Sequence, residues 1–153
     1  AYIEQSLKEV SFIVFDEALG LYRKCRADMW LPNHGIVLDY KTSKETNHNG
    51  FERVIEVYNY HISCSWYIDT INMCIEKFNL PYPKVTQFGW IISPNYEPYK
   101  PFGFIASIEL IEKGREDYQR LTNKLLEVRK TGKDYLFKEA HSLEYKKKQR
   151  EVY

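Results

Sequence analysis

The run Ile36-Val-Leu-Asp39-Tyr-Lys41 is apolar except for two opposite charges two residues apart. Side chains alternate faces along a strand, so Asp39 and Lys41 project together while Leu38 and Tyr40 face the other way. A second carboxylate, Asp28, closes the preceding predicted strand in Tyr22-Arg-Lys-Cys-Arg-Ala-Asp28, eleven positions earlier. Two acidic groups and one ammonium on a shared surface can hold a divalent cation and a phosphate together. That is the minimum equipment of a metal-dependent nuclease.

The surrounding pattern places these residues on a sheet. Val10 to Phe15 reads as a strand, Asp16 to Gly20 as a turn ending in a permissive glycine, and Leu21 to Arg26 as the returning strand. Leu31 to Gly35 connects to a third strand, Ile36 to Lys41, so Asp28 is expected just past the second strand and Asp39 late in the third. After a polar loop from Thr42 to Asn49, one long helix is expected from about Asn49, with Glu52 as its capping-box partner. Its apolar stripe is Tyr60, Cys64, Tyr67, Ile68, Ile71, Ile75 and Phe78, and Asn79 to Pro83 stops it. Val85 to Ser93 and Phe102 to Leu110 predict two more strands around a Pro94–Pro101 loop. A last helix from about Ile111 to Lys130 turns Tyr118, Leu121, Leu125 and Val128 inward, and Gly132 ends it. The order βββ-α-ββ-α implies an α/β (α+β) sandwich, a central mixed sheet flanked by helices. No internal repeat or linker divides the 153 residues, so a single domain over 1–153 is expected, with a basic tail over 133–153.

Composition narrows the classes further. A net charge of +1 gives no whole-molecule attraction to nucleic acid. From Glu112 to Tyr153, however, basic residues outnumber acidic ones by twelve to eight, which suits a tail touching phosphates and a solvated tail equally. The 13 tyrosines fit a Tyr-rich core, or stacking platforms for bases. Cys25, Cys64 and Cys74 are odd in number and lack metal-finger spacing, which points to free thiols in a reducing, cytoplasmic setting. No apolar run approaches membrane-spanning length, and no signal-peptide pattern opens the chain. There is no Gly-rich phosphate loop and no Ser or Cys nucleophile with a convincing base.

The arrangement of Arg26-Ala-Asp28, then Val37-Leu-Asp39-Tyr-Lys41-Thr42, then Tyr60-His61 and Tyr67 on a following helix, resembles the PD-(D/E)xK nuclease superfamily. Within it the likeness is to the RecE-type phage and prophage exonucleases of the lambda-exonuclease and RecB-like branch, and it runs from about Val10 to Lys130. Arg26-Ala-Asp28 stands where that family has Pro-Asp, and Asp39-Tyr-Lys41 where it has (D/E)xK. The chain departs from the pattern at Ala27, in place of the proline, and at Ser63, in place of a glutamine one turn before Tyr67. Such exonucleases carry an N-terminal helical region that supplies an extra metal ligand; the sequence opens almost at the first strand, as a core cut from a longer protein or a minimal version would, and Glu4, Glu9 or Asp16 are the stand-ins to expect.

The resemblance implies a set of roles. Asp28 and Asp39, with the Tyr40 carbonyl, would ligate Mg²⁺ or Mn²⁺, and Asp28, Asp39 and Lys41 would be catalytic. Lys41 would orient the attacking water or neutralise charge on the phosphoryl oxygens. Arg26, Thr42, Ser43 and Tyr67 would contact DNA; a surface charge, a pre-helix turn and a core tyrosine are the competing structural readings. His34 and His61 have no second histidine at ligand spacing and read as bystanders. The implied function is exonucleolytic hydrolysis of linear double-stranded DNA in phage-type recombination. Its implied partners are a single-strand annealing protein and, as in relatives of this kind, copies of itself in a ring. The alternatives are an endonuclease or single-strand-directed nuclease, and an inactive domain of the same fold that binds DNA or protein.

Overall fold

The computed structural model describes residues 2–45 and 47–132; the basic tail expected over 133–153 lies outside the described residues. Five strands form one mixed sheet in the order β1-β2-β3-β4-β5. β1 (Leu7–Asp16) and β2 (Leu21–Leu31) pair antiparallel. Their turn closes on Gly20, whose φ of +62° suits a residue without Cβ, and the Asp16 carboxylate accepts the Leu19 N–H at 3.1 Å. β2 runs five residues further than its hydrophobicity suggests, so Asp28 lies inside the strand and not beyond it. Three of the five added residues, Ala27, Trp30 and Leu31, are buried. A 3-10 turn at Pro32–His34 and left-handed Gly35 then lead into β3 (Ile36–Ser43).

β3 and β4 (Gln87–Pro94) are parallel along their whole length, from Ile36 opposite Gln87 to Ser43 opposite Pro94. Parallel neighbours need a long crossover. Here it consists of two helices, α1 (His48–Val57) and α2 (Tyr60–Lys77), where the sequence suggests one. The break falls at Asn59, whose φ of 54° is left-handed, a conformation asparagine tolerates better than most residues. The N-cap of α1 is Asn47, which accepts the Gly50 N–H at 2.9 Å; Glu52 is therefore two residues too late for a capping box. Val85 is not part of β4 because its backbone N–H and C=O are taken by the Asn72 amide, at 2.7 and 2.9 Å.

β5 (Phe102–Ile105) pairs antiparallel with β4 and is shorter than expected. Ser107 stops it, capping α3 (Ile108–Thr131) by accepting the Leu110 N–H at 3.2 Å, and Gly132 ends that helix in a left-handed C-cap. The core lies between the sheet and α1–α2, with Trp90, Phe51, Phe88, Ile71 and Ile92 fully enclosed. α3 packs on α2 through Ile111, Gly114 and Tyr118. Leu121 and Leu125, expected inward, are exposed, because the hydrogen bonds joining α3 to α2 lie between Ile111 and Tyr118. Phe78 is likewise exposed, at the C-cap of α2.

Candidate active site

The antiparallel ladder between β2 and β3 is only three pairs long: Leu31 with Ile36, Trp30 with Val37, Met29 with Leu38. The next positions out are Asp28 and Asp39, and there the two strands part. A carboxylate substitutes for the lost ladder bond: Asp28 Oδ2 accepts the Tyr40 N–H at 2.8 Å. Two carboxylates distant in sequence thus become neighbours where the strands diverge, near enough for the charge of Asp28 to act on Asp39. On the other side of β2, the pairs Lys8–Met29 and Val10–Ala27 place Glu9 opposite Asp28, again at a gap in the ladder.

Asp39 is buried, and its Oδ2 makes an ion pair with the Lys41 ammonium, as the strand alternation requires. That oxygen is out of reach of water and has no well-aligned hydrogen bond among the described residues. Burial pushes the Asp39 carboxyl above the usual range; Lys41 opposes the shift and the charge of Asp28 adds to it. Lys41 in turn lies 5.3 Å from the centroid of the Tyr60 ring, a cation–π contact that fixes the ammonium above α2. Tyr60 stands in the helical part of the resemblance, but its contact with Lys41 is not readable from a residue that also fits an apolar helical stripe.

Tyr67 also lies within reach of these charges. Its hydroxyl is raised above the ordinary phenol range by burial, and the charges of Asp39 and Asp28 raise it further. It lines an open groove of about 390 Å³ with Ser11, Ile13, Lys24, Cys25 and Arg26. A second groove, of about 360 Å³, runs over Lys8, Glu9, Asp28, Met29 and Tyr40. Arg26 is exposed and pairs with Glu9 at 2.6 Å. Thr42 is exposed at the end of β3. Ser43 is buried, its Oγ accepting the Glu45 N–H at 3.0 Å, so its side chain serves the turn after β3. His61 points to α3, bonded to Asp117 at 3.1 Å, and His34 closes the turn before Gly35. Ser63 bonds back to the Tyr60 carbonyl of its own helix at 3.1 Å.

The donor set suits a hard divalent cation supplied with two protein carboxylates. Asp28 and Asp39 are neighbours where the β2–β3 ladder ends, close enough for the charge of Asp28 to act on Asp39, whose Oδ2 is held by Lys41. Magnesium binds through one or two carboxylates and completes its shell with water and substrate phosphate. Among the described residues no three His, Cys, Asp or Glu side chains converge. Asp16, one candidate for a third ligand, is committed to the β1 turn and to Arg23 at 3.5 Å.

No protein-family model and no curated protein matches the chain. Among solved structures it is similar to the crystal structure of a protein named "Putative exonuclease" from Eubacterium rectale, with a TM-score of 0.63 and 14% identity. The match covers 87% of this chain and 48% of the other, so the chain spans about half the length of that neighbour. At this identity the likeness establishes the fold: a mixed sheet flanked by helices, shared with a protein named as an exonuclease.

Proposed function

We propose that the chain is a metal-dependent deoxyribonuclease, an exonuclease of the RecE-like branch acting on linear double-stranded DNA in phage-type recombination. The observation that carries this reading is the adjacency of Asp28 and Asp39 where β2 and β3 part, with Lys41 held on Asp39. Asp28 and Asp39, with the Tyr40 carbonyl, would hold Mg²⁺ or Mn²⁺. When bound, that ion would supply Lewis acidity to the scissile phosphate and acidify a water.

The chain's own residues do the rest. Lys41, a compact point cation anchored by Asp39 and the Tyr60 ring, orients the attacking water and offsets charge on the phosphoryl oxygens. The Tyr40 N–H holds the Asp28 carboxylate in place by a hydrogen bond, so its geometry is set before substrate arrives. Arg26 and Tyr67 line one groove beside β2 and would contact DNA, as would Thr42 near the end of β3. An annealing protein and ring assembly with further copies complete the proposal.

The test is digestion of end-labelled linear and closed circular DNA with Mg²⁺, Mn²⁺ or EDTA. Metal-dependent loss of linear DNA alone, abolished by Lys41→Ala and by Asp39→Ala with the fold retained, is the expected outcome. Cleavage of circles would indicate an endonuclease, and unimpaired cleavage by either variant would refute the assigned roles. The absence of a converging third ligand among the described residues favours one other reading, a domain of this fold that binds DNA without cutting. Binding without cleavage of any substrate would establish it.

A further inference from the structure

One residue opposite Asp28 has a conformation that its strand does not explain. Glu9 has a φ of 57°, left-handed backbone in a non-glycine residue within a ten-residue strand. Such a conformation persists only where surrounding structure holds it, and it clusters at ligand clamps. Here it interrupts the β1–β2 ladder opposite Asp28 and directs the carboxylate to the Arg26 guanidinium, 2.6 Å away. Both partners are exposed, at 57% and 64%, so the pair answers no burial requirement. Glu9 and Asp28 line the same groove.

Arg26 stands two residues before Asp28 on β2, and Lys24 two residues before Arg26. With a rise of about 3.4 Å per residue, alternate positions recur every ~6.8 Å. That repeat is close to the separation of successive phosphates along a nucleic-acid strand. A guanidinium donates to a carboxylate and to a phosphate in the same geometry. We propose that the Glu9 carboxylate occupies, on Arg26, the place of the substrate phosphate next to the scissile one, and that nucleic acid binds by displacing it. Lys24 receives the phosphate beyond. Glu9 is thereby a built-in competitor that weakens binding of any nucleic acid unable to fill the Arg26 position. The proposal rests on the nuclease reading.

The test measures binding of a labelled duplex by fluorescence anisotropy in EDTA, over a series of salt concentrations, with the full chain. Glu9→Gln removes the competing charge and keeps the shape. It is expected to bind about two- to fivefold tighter than wild type, the range an exposed ion pair commands. Its log–log salt dependence should steepen by about one phosphate contact. Glu9→Gly, which also accepts the left-handed backbone, should show the same gain. In an Arg26→Ala background neither substitution should change affinity, and Lys24→Ala should weaken binding and flatten the salt slope.

Unchanged affinity in both Glu9 variants, or a gain that survives Arg26→Ala, overturns the proposal while leaving a cutting, DNA-binding wild type intact. A wild type that neither binds nor cuts DNA overturns the nuclease reading, and with it this one.

Discussion

Single side chains set the tolerances of this molecule. Gly114 lies where α3 crosses α2, and a Cβ there would run into the His61 carbonyl and the Ser65 hydroxyl. Ser65 Oγ is already bonded to the Ile111 carbonyl at 2.6 Å and cannot turn away without leaving a buried group unpaired. Gly114→Ala should therefore destabilise the protein by about 1–3 kcal/mol, the usual cost of overpacking, although alanine is the better helix former. A urea midpoint lowered at unchanged m-value would show it. Nothing in the sequence marks this glycine, because a close approach between two helices is a property of their crossing. The pairing of Asp39 with Lys41 was legible because strand alternation is a local rule. Tyr60 was not, because its role depends on where α2 lies beneath β3.

At the scale of elements, the polar seam between α2 and α3 should appear in the pH dependence of stability. Asp117 accepts from Lys113, His61 and Arg120, and these partners pull its carboxyl from 3.8 down to about 2, Lys113 contributing most. A carboxyl held below its unfolded value stabilises the fold above about pH 4 and loses that contribution as pH falls toward 2. Asp117→Asn should therefore be less stable than wild type at pH 7, with the difference closing between pH 4 and 2. Parallel urea titrations across that range would test it; a gap independent of pH would mean that packing, not charge, holds the seam. Hydrophobic periodicity found all five strands and the last helix, but ended β2 five residues early and ran β5 five residues into the start of α3. It ran two helices together because the break at Asn59 interrupts the backbone without interrupting the apolar pattern.

At the scale of the whole molecule, cation binding and folding should be coupled. The proposed site, two carboxylates brought together only in the native sheet, does not exist in the unfolded chain, so an ion bound there would stabilise the fold by mass action. With Mn²⁺ at ten times its Kd the gain is about 1.4 kcal/mol, roughly 3–6 °C in Tm. Wild type should show this rise and lose it on EDTA addition, whereas Asp28→Ala should show none; an equal rise in the variant would place the ion elsewhere. The described residues contain no helix long and apolar enough to cross a membrane, and Cys25, Cys64 and Cys74 are free and buried. Burial pushes the Cys25 thiol up to about 12, consistent with a packing role for it.

The sequence by itself determined the strands, the helical crossover, and the alternation that puts Asp39 and Lys41 on one face, because each depends on residues within a few positions of one another. Only the tertiary structure decided that β2 extends to Leu31 and that its ladder with β3 ends after three pairs. From these follow the adjacency of Asp28 and Asp39, the approach of Tyr60 to Lys41 and of Tyr67 to the two carboxylates, and the pairing of Glu9 with Arg26. Those are matters of register between strands and of depth between layers. Register is set by the sum of many side-chain contacts across the sheet, which no single segment encodes.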